Sequence, residues 1–205
     1  THEQGSRMVP STRVPPTGRR PVAARAGAPT RNTAKDTDMH QYDGHHLLPP
    51  TGIDIPLEIR LYVITLLQHT LACTVDLRSQ VKQAGWNVKG HDFGPLHALF
   101  ATMATALEAY TDLVAERLVV LGGVACGTTR AAARQSTLSE YPDALTEGPA
   151  HVRALLERLS AYATAIRGDI THTAAVEDAG TAALYTDLSR GVDQQLGGLE
   201  TYLYR

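Results

Sequence analysis

The stretch LHALFATMATALEAYTDLVAERLVVLGG, Leu96 to Gly123, carries the strongest structural signal in the chain. Leu96, Phe100, Met103, Leu107, Tyr110, Val114, Leu118 and Leu121 recur at intervals of three and four. That spacing lines apolar side chains along one side of an α-helix, and nothing here alternates as a strand would. Gly122-Gly123 then ends the pattern, because a glycine just past the last apolar position takes up the left-handed conformation that closes a helix.

The same periodicity extends outward on both sides. Upstream, PPTGIDIP punctuates the chain and places Pro56 in the first turn of a helix carrying Leu57, Leu61, Ile64, Leu67, Leu71 and Val75. Downstream come a short helical piece, TTRAAARQ (128–135), and a turn at EYPD (140–143). Two more long patterns follow: Val152, Leu155, Leu159, Tyr162, Ile166 and Ile170, then Leu184, Leu188, Val192, Leu196, Leu199 and Leu203. Four long amphipathic helices with one long connection between the second and third predict an all-α four-helix bundle.

Length and composition agree with one such domain plus an extension: the chain has 205 residues, 43% of them apolar. No apolar run approaches the length of a membrane span, LYVITLL (61–67) being the longest, so a soluble protein is expected. GRRPVAAR contains twin arginines, but no apolar segment follows them as in an export signal. Met8 is read as the natural start. Cys73 and Cys126 are too few for a disulfide framework and fit a reducing, cytoplasmic setting. Cys73, mid-helix among apolar neighbours, is expected to pack as a small hydrophobe.

The net charge of −2 conceals a segregation. Residues 1–35 hold seven of the nineteen basic groups (Arg7, Arg13, Arg19, Arg20, Arg25, Arg31 and Lys35) and one of the twenty-one acids, Glu3. The arm therefore carries +6, and the remaining twelve bases and twenty acids give the body −8. With few anchoring aliphatics, residues 1–50 are expected to form a flexible arm and 51–205 the bundle. Arginines so placed bind phosphate oxygens with little base preference, which points to nonspecific binding of double-stranded DNA; the bland alternative is a solubilising tail.

One side of the Leu96–Leu121 helix is unusual. His97, Ala101, Glu108, Asp112 and Glu116 recur at multiples of about one turn, each displaced one position from the apolar stripe. Three carboxylates in one row repel. A hard cation such as iron, with His97 as a nitrogen ligand, would offset them; so would solvent or a salt-bridged subunit contact. None of the nine histidines has a glutamate three residues before it, so the Glu-x-x-His pattern of a di-iron centre inside one bundle is absent.

QVKQAGWNVKGHDFGPLHALF (80–100), YTDLVAERLVVLGG (110–123) and TTRAAARQSTLSEYP (128–142) together resemble the Dps family of mini-ferritins, DNA-binding proteins from starved cells. The resemblance covers roughly residues 56–205. It implies a ferritin-like subunit, a hollow dodecamer, and an iron-oxidising site at the two-fold interface. One subunit would supply histidines and a carboxylate, and its partner an aspartate and a glutamate. His97, Asp112 and Glu116 fall on ligand positions, and Trp86 matches the tryptophan beside the site. Two positions depart: Gly85 stands where the family has its first histidine, and Ala101 where it has an aspartate. Either Gly85 marks a lost ligand, or it serves the backbone by opening the end of the first helix into WNVKG. Glu108 or His91 is expected to compensate for the missing groups.

A second cluster, Asp36, Asp38, His40, Asp43, His45 and His46, offers oxygen and imidazole ligands for zinc or another divalent ion just after the arm; the alternative is a solvated linker. Within a shell, acids such as Glu177, Asp178 and Asp187 would line a three-fold pore and draw Fe²⁺ inward. The reading is a cytoplasmic, nucleoid-associated particle that binds DNA and oxidises or sequesters iron with peroxide or oxygen, using a non-standard ferroxidase centre. The rival is a non-enzymatic packing or storage shell with an inactive centre.

Overall fold

The computed structural model describes residues 51–204. Five helices make up the bundle: α1 (Leu57–Asn87), α2 (Phe93–Val120), α3 (Thr129–Gln135), α4 (Gly148–Ala175) and α5 (Ala179–Leu203). Short connections make α1 and α2, and likewise α4 and α5, antiparallel hairpins, and the two hairpins pack through α1 on α4 and α2 on α5.

The segment between α2 and α4 travels the length of the bundle along α1, and its contacts advance in step. Gln68 holds the backbone of Cys126, Asp76 accepts from the Ser136 hydroxyl at 2.6 Å, and Gln80 donates to the Ser139 carbonyl. At the far end the Lys89 amide donates to Thr146, so α4 starts where α2 starts and runs parallel to it. This is the long crossover of a four-helix bundle whose second and third long helices run parallel. α3 is closed at its start by the Thr128 side chain, which accepts from the Ala131 amide.

The apolar stripe of α2 is buried nearly as read: Leu96, Phe100, Met103, Leu107, Val114, Leu118 and Leu121 are all at or below 2% exposure. Each such side chain contributes about 1.5–3 kcal/mol by leaving water. The helix ends at Gly122, φ 95°, with the Gly122 amide donating to Val119 and that of Gly123 to Leu118. A Cβ on Gly123 would stand 2.6 Å from a Leu118 methyl, so the second glycine is required by close approach.

On α5, Leu188, Val192 and Leu199 are fully buried as read, Leu184, Leu196 and Leu203 only half-buried, and Tyr185, outside the aliphatic pattern, joins the buried stripe. Tyr185 turns inward because its hydroxyl has a partner, the Thr70 hydroxyl at 3.0 Å. Thr74 pairs with the Tyr162 hydroxyl at 2.7 Å, and Asp169 lies beside Thr70. A polar seam therefore runs through the middle of the core, where its members satisfy one another.

Asp178 is corrected here. It caps α5, accepting from the Thr181 amide and hydroxyl, and takes a 2.7 Å ion pair from Arg117 of α2. Buried and fully engaged, it ties the two hairpins together and is not a pore-lining charge. Glu177 and Asp187 are exposed, with Asp187 paired to Arg190.

Candidate metal centre on the outer face of the first hairpin

Near the end of α1, Val81, Ala84 and Gly85 meet the start of α2 at Leu96 and Phe100, and between the helices lies a cleft of about 270 Å³. Its walls include Arg78, Lys82, Trp86, His97, Ala101 and Glu108.

His97 is fixed on two sides. Its Nδ1 lies 2.9 Å from the Gly85 carbonyl oxygen. A carbonyl only accepts, so Nδ1 carries the proton and a neutral ring keeps its lone pair on Nε2. The Phe93 ring, one turn earlier, stacks on the imidazole at 5.3 Å between centroids. A histidine held by its other nitrogen to a backbone carbonyl is the arrangement that orients a metal ligand.

Gly85 lies inside α1, which continues to Asn87, and it is not among the glycines with positive φ. A Cβ there would make an ordinary 3.6 Å contact with Phe100. The backbone explanation is therefore overturned: the helix does not open at Gly85, and a side chain could occupy the position without strain. Ala101, one turn beyond His97, is exposed on the same cleft.

The two expected substitute ligands stand in different surroundings. Glu108, on the cleft wall, receives an exposed 3.0 Å salt bridge from Arg78. His91 is almost fully exposed in the loop, 3.5 Å from the Asp92 carboxylate, and does not line the cleft. Arg78 was missed in the sequence, although spacings of four and three place Arg78, Lys82 and Gly85 on one side of α1.

Asp112 and Glu116 are exposed one turn apart, farther along α2. They stand fifteen and nineteen residues beyond His97, about 22 Å or more along the axis at 1.5 Å per residue. They cannot meet His97 on one ion within a single chain, and among the described residues no three His, Cys, Asp or Glu side chains converge to hold one. Trp86 is 71% exposed on the cleft rim. Phe93, Leu113, Val119 and Val120, spread along α2 from its first residue to its last, are also more than two-fifths exposed. The arm residues Arg7, Arg13, Arg19, Arg20, Arg25, Arg31 and Lys35 lie outside the described residues, as do Asp36, His40, Asp43, His45 and His46. Among the described residues no helix is long and apolar enough to cross a membrane.

Comparison with known proteins bears on these features. A model of the ferritin-like domain matches residues 64–205. The DNA protection during starvation protein of Agrobacterium fabrum is 37% identical over 153 residues, covering 75% of this chain and 94% of that protein. DNA protection during starvation protein 1 of Deinococcus radiodurans is 26% identical over 195 residues, 95% of this chain and 90% of its own. Among solved structures, DpsC from Streptomyces coelicolor superposes with a TM-score of 0.73 at 29% identity, covering 76% of this chain and 91% of that one.

Proposed function

Because this chain belongs to the Dps family of ferritin-like proteins, we propose that it is an iron-sequestering particle that protects DNA, with Fe²⁺ as its substrate. The oriented imidazole of His97 carries this reading: its tautomer is fixed by Gly85 and its free nitrogen is available to a metal ion. The 22 Å interval from His97 to Asp112 sets the architecture. Two copies related by a two-fold axis bring His97 of one against Asp112 and Glu116 of the other, as an isologous contact does. Trp86 and the apolar side chains exposed along α2 are groups that such a contact would bury. Closure into a dodecamer follows the family.

In this centre two Fe²⁺ ions each give up one electron, and a peroxide with two protons takes both and leaves as water. His97, Asp112 and Glu116 bind the ions, and Trp86 shields them from solvent. With Gly85 and Ala101 each half-site lacks an imidazole and a carboxylate, so ions bind weakly. Optical measurement of Fe²⁺ oxidation by the intact particle, with and without peroxide, tests the assignment. A rate equal to that in protein-free buffer rejects it.

A second reading, a packing shell with an inactive centre, is favoured by one observation: Arg78 and Lys82 place positive charge on the cleft where the ligands are missing. DNA binding is assigned to the arm in both readings. Deleting residues 1–35 removes +6 and leaves a body of −8, so DNA retention should fall at least about a hundredfold at low salt. A gel shift of the truncated particle at the parent's concentration would refute this.

A further inference from the structure

On the other side of α1 lies a second histidine that is not free. His69 and Cys73 stand one turn apart, with the Cys73 sulfur 3.6 Å from His69 Nε2. The Thr137 hydroxyl, from the crossover segment, lies 3.1 Å from the same nitrogen and 3.8 Å from the sulfur. Beside this group is a cavity of about 50 Å³. Cys73, Thr70, Tyr162 and Ile166 form its buried floor, and exposed Thr137, Ala161 and Ala165 form its rim. A cavity needs roughly 10–15 Å³ by this measure to admit one water, so this one admits a molecule of a few heavy atoms and nothing as large as a lipid.

A buried cysteine is ordinarily inert; reactivity needs a thiolate, a positive neighbour and access. His69 Nε2 stands 3.6 Å from the sulfur, and the cavity provides the approach. Burial opposes ionisation of the Cys73 thiol, but the His69 hydrogen bond, the Thr137 contacts and the His69 charge outweigh it and hold the thiol below its usual range. The His69 pKa is raised, chiefly by its hydrogen bond to Cys73, against the effect of its own burial. The other titratable groups facing the pair are Asp169 and Tyr162 of α4 and Tyr185 of α5, with His172 paired to Asp169.

We propose that Cys73 is a peroxide-reactive thiol, which together with His69 reduces hydrogen peroxide at the floor of this cavity. The thiolate attacks one peroxide oxygen, an S–O bond forms and the O–O bond breaks. The departing hydroxide takes the His69 proton and leaves as water, so sulfur loses the two electrons that peroxide gains. Two equivalents of a small thiol return the sulfenic acid to the thiol, forming their disulfide and water. The step uses no iron and is independent of the metal centre.

The test uses the assembled full-length protein, freed of iron by a chelator and given one equivalent of hydrogen peroxide at pH 7. Each time point is quenched into denaturant containing dimedone, which then reaches the sulfenic acid without passing through the cavity, and peptide masses follow each cysteine. Exposed Cys126 is the internal standard. Cys73 is expected to label at least about tenfold faster than Cys126, and 2-mercaptoethanol given before the quench should return the sulfenic acid to thiol and abolish the label. His69→Asn should slow Cys73 by about tenfold, leave Cys126 unchanged and move the pH midpoint of the reaction upward. Labelling of Cys126 while Cys73 stays reduced, or a His69→Asn variant equal to the parent, overturns the proposal. If that variant does not fold, the pH dependence of iodoacetamide alkylation in the parent decides. A Cys73 midpoint at or above that of Cys126 overturns it.

Discussion

The outer face of the α1–α2 hairpin and the polar seam inside the bundle use similar side chains to opposite ends. On the face, Asp112, Glu116 and His97 Nε2 have no partner among the described residues, and Trp86 and Leu113 stand in solvent. In the seam, Thr70, Thr74, Tyr162 and Tyr185 are paired with one another across three helices. A buried polar group without a partner costs more than its hydrogen bond returns, so the interior closes on itself. The face can leave its groups open because water serves them. Substitutions on the face should therefore change activity, and those in the seam stability.

Asp112→Ala tests this most severely. It removes one charged ligand from a depleted set, and iron oxidation should fall by about ten- to a hundredfold with no change in melting temperature. An unchanged rate would remove the face from the chemistry. Filling the vacancies should act in the other direction. Since Gly85 is helical with room for a Cβ, Gly85→His with Ala101→Asp adds an imidazole and a carboxylate, and initial oxidation rates should rise several-fold or more. A variant that is less stable and no faster would show that the small residues serve packing.

In the seam, Asp169→Asn should act on stability. Burial raises the Asp169 carboxyl pKa, against the hydrogen bond and charge of His172. The native state thus holds this proton more tightly than the unfolded chain does. The resulting stability is fully present below the unfolded value and is lost as pH rises through the native one. Toward neutral pH the raised carboxyl pKa therefore opposes folding, so the amide should raise the melting temperature at pH 7 by a few degrees, with no gain near pH 3. A lower melting temperature at pH 7 would mean that the His172 contact outweighs the cost of burial. The smallest effect belongs to Arg78→Ala. Its bridge to Glu108 is solvent-exposed and contributes less than about 1 kcal/mol, so stability should barely move. Iron affinity, read by titration, should rise slightly as Glu108 is released.

The four long helices, the short α3 and the glycine stop after α2 were all legible in the sequence, because periodicity and helix-ending chemistry are local. Tyr185 was not, since its burial depends on a hydroxyl partner 115 residues away. Nor were the two histidine environments. His97 binds a carbonyl twelve residues earlier, through the angle at which two helices meet, and nothing in the spacing announces it. His69 and Cys73 do show helical spacing, but the third member, Thr137, arrives from the crossover.

The order of residues alone determined the number of the long helices, the charge division between arm and body, and that a glycine and an alanine stand at positions 85 and 101. These follow from side-chain period, composition and identity, which are properties of a linear chain. Tertiary packing decided the rest. It kept Gly85 inside a helix, gave Glu108 to Arg78, buried Asp178 against Arg117 and set a cavity beside Cys73. Each of these outcomes depends on distances between helices, and those are fixed only when the apolar stripes have packed together.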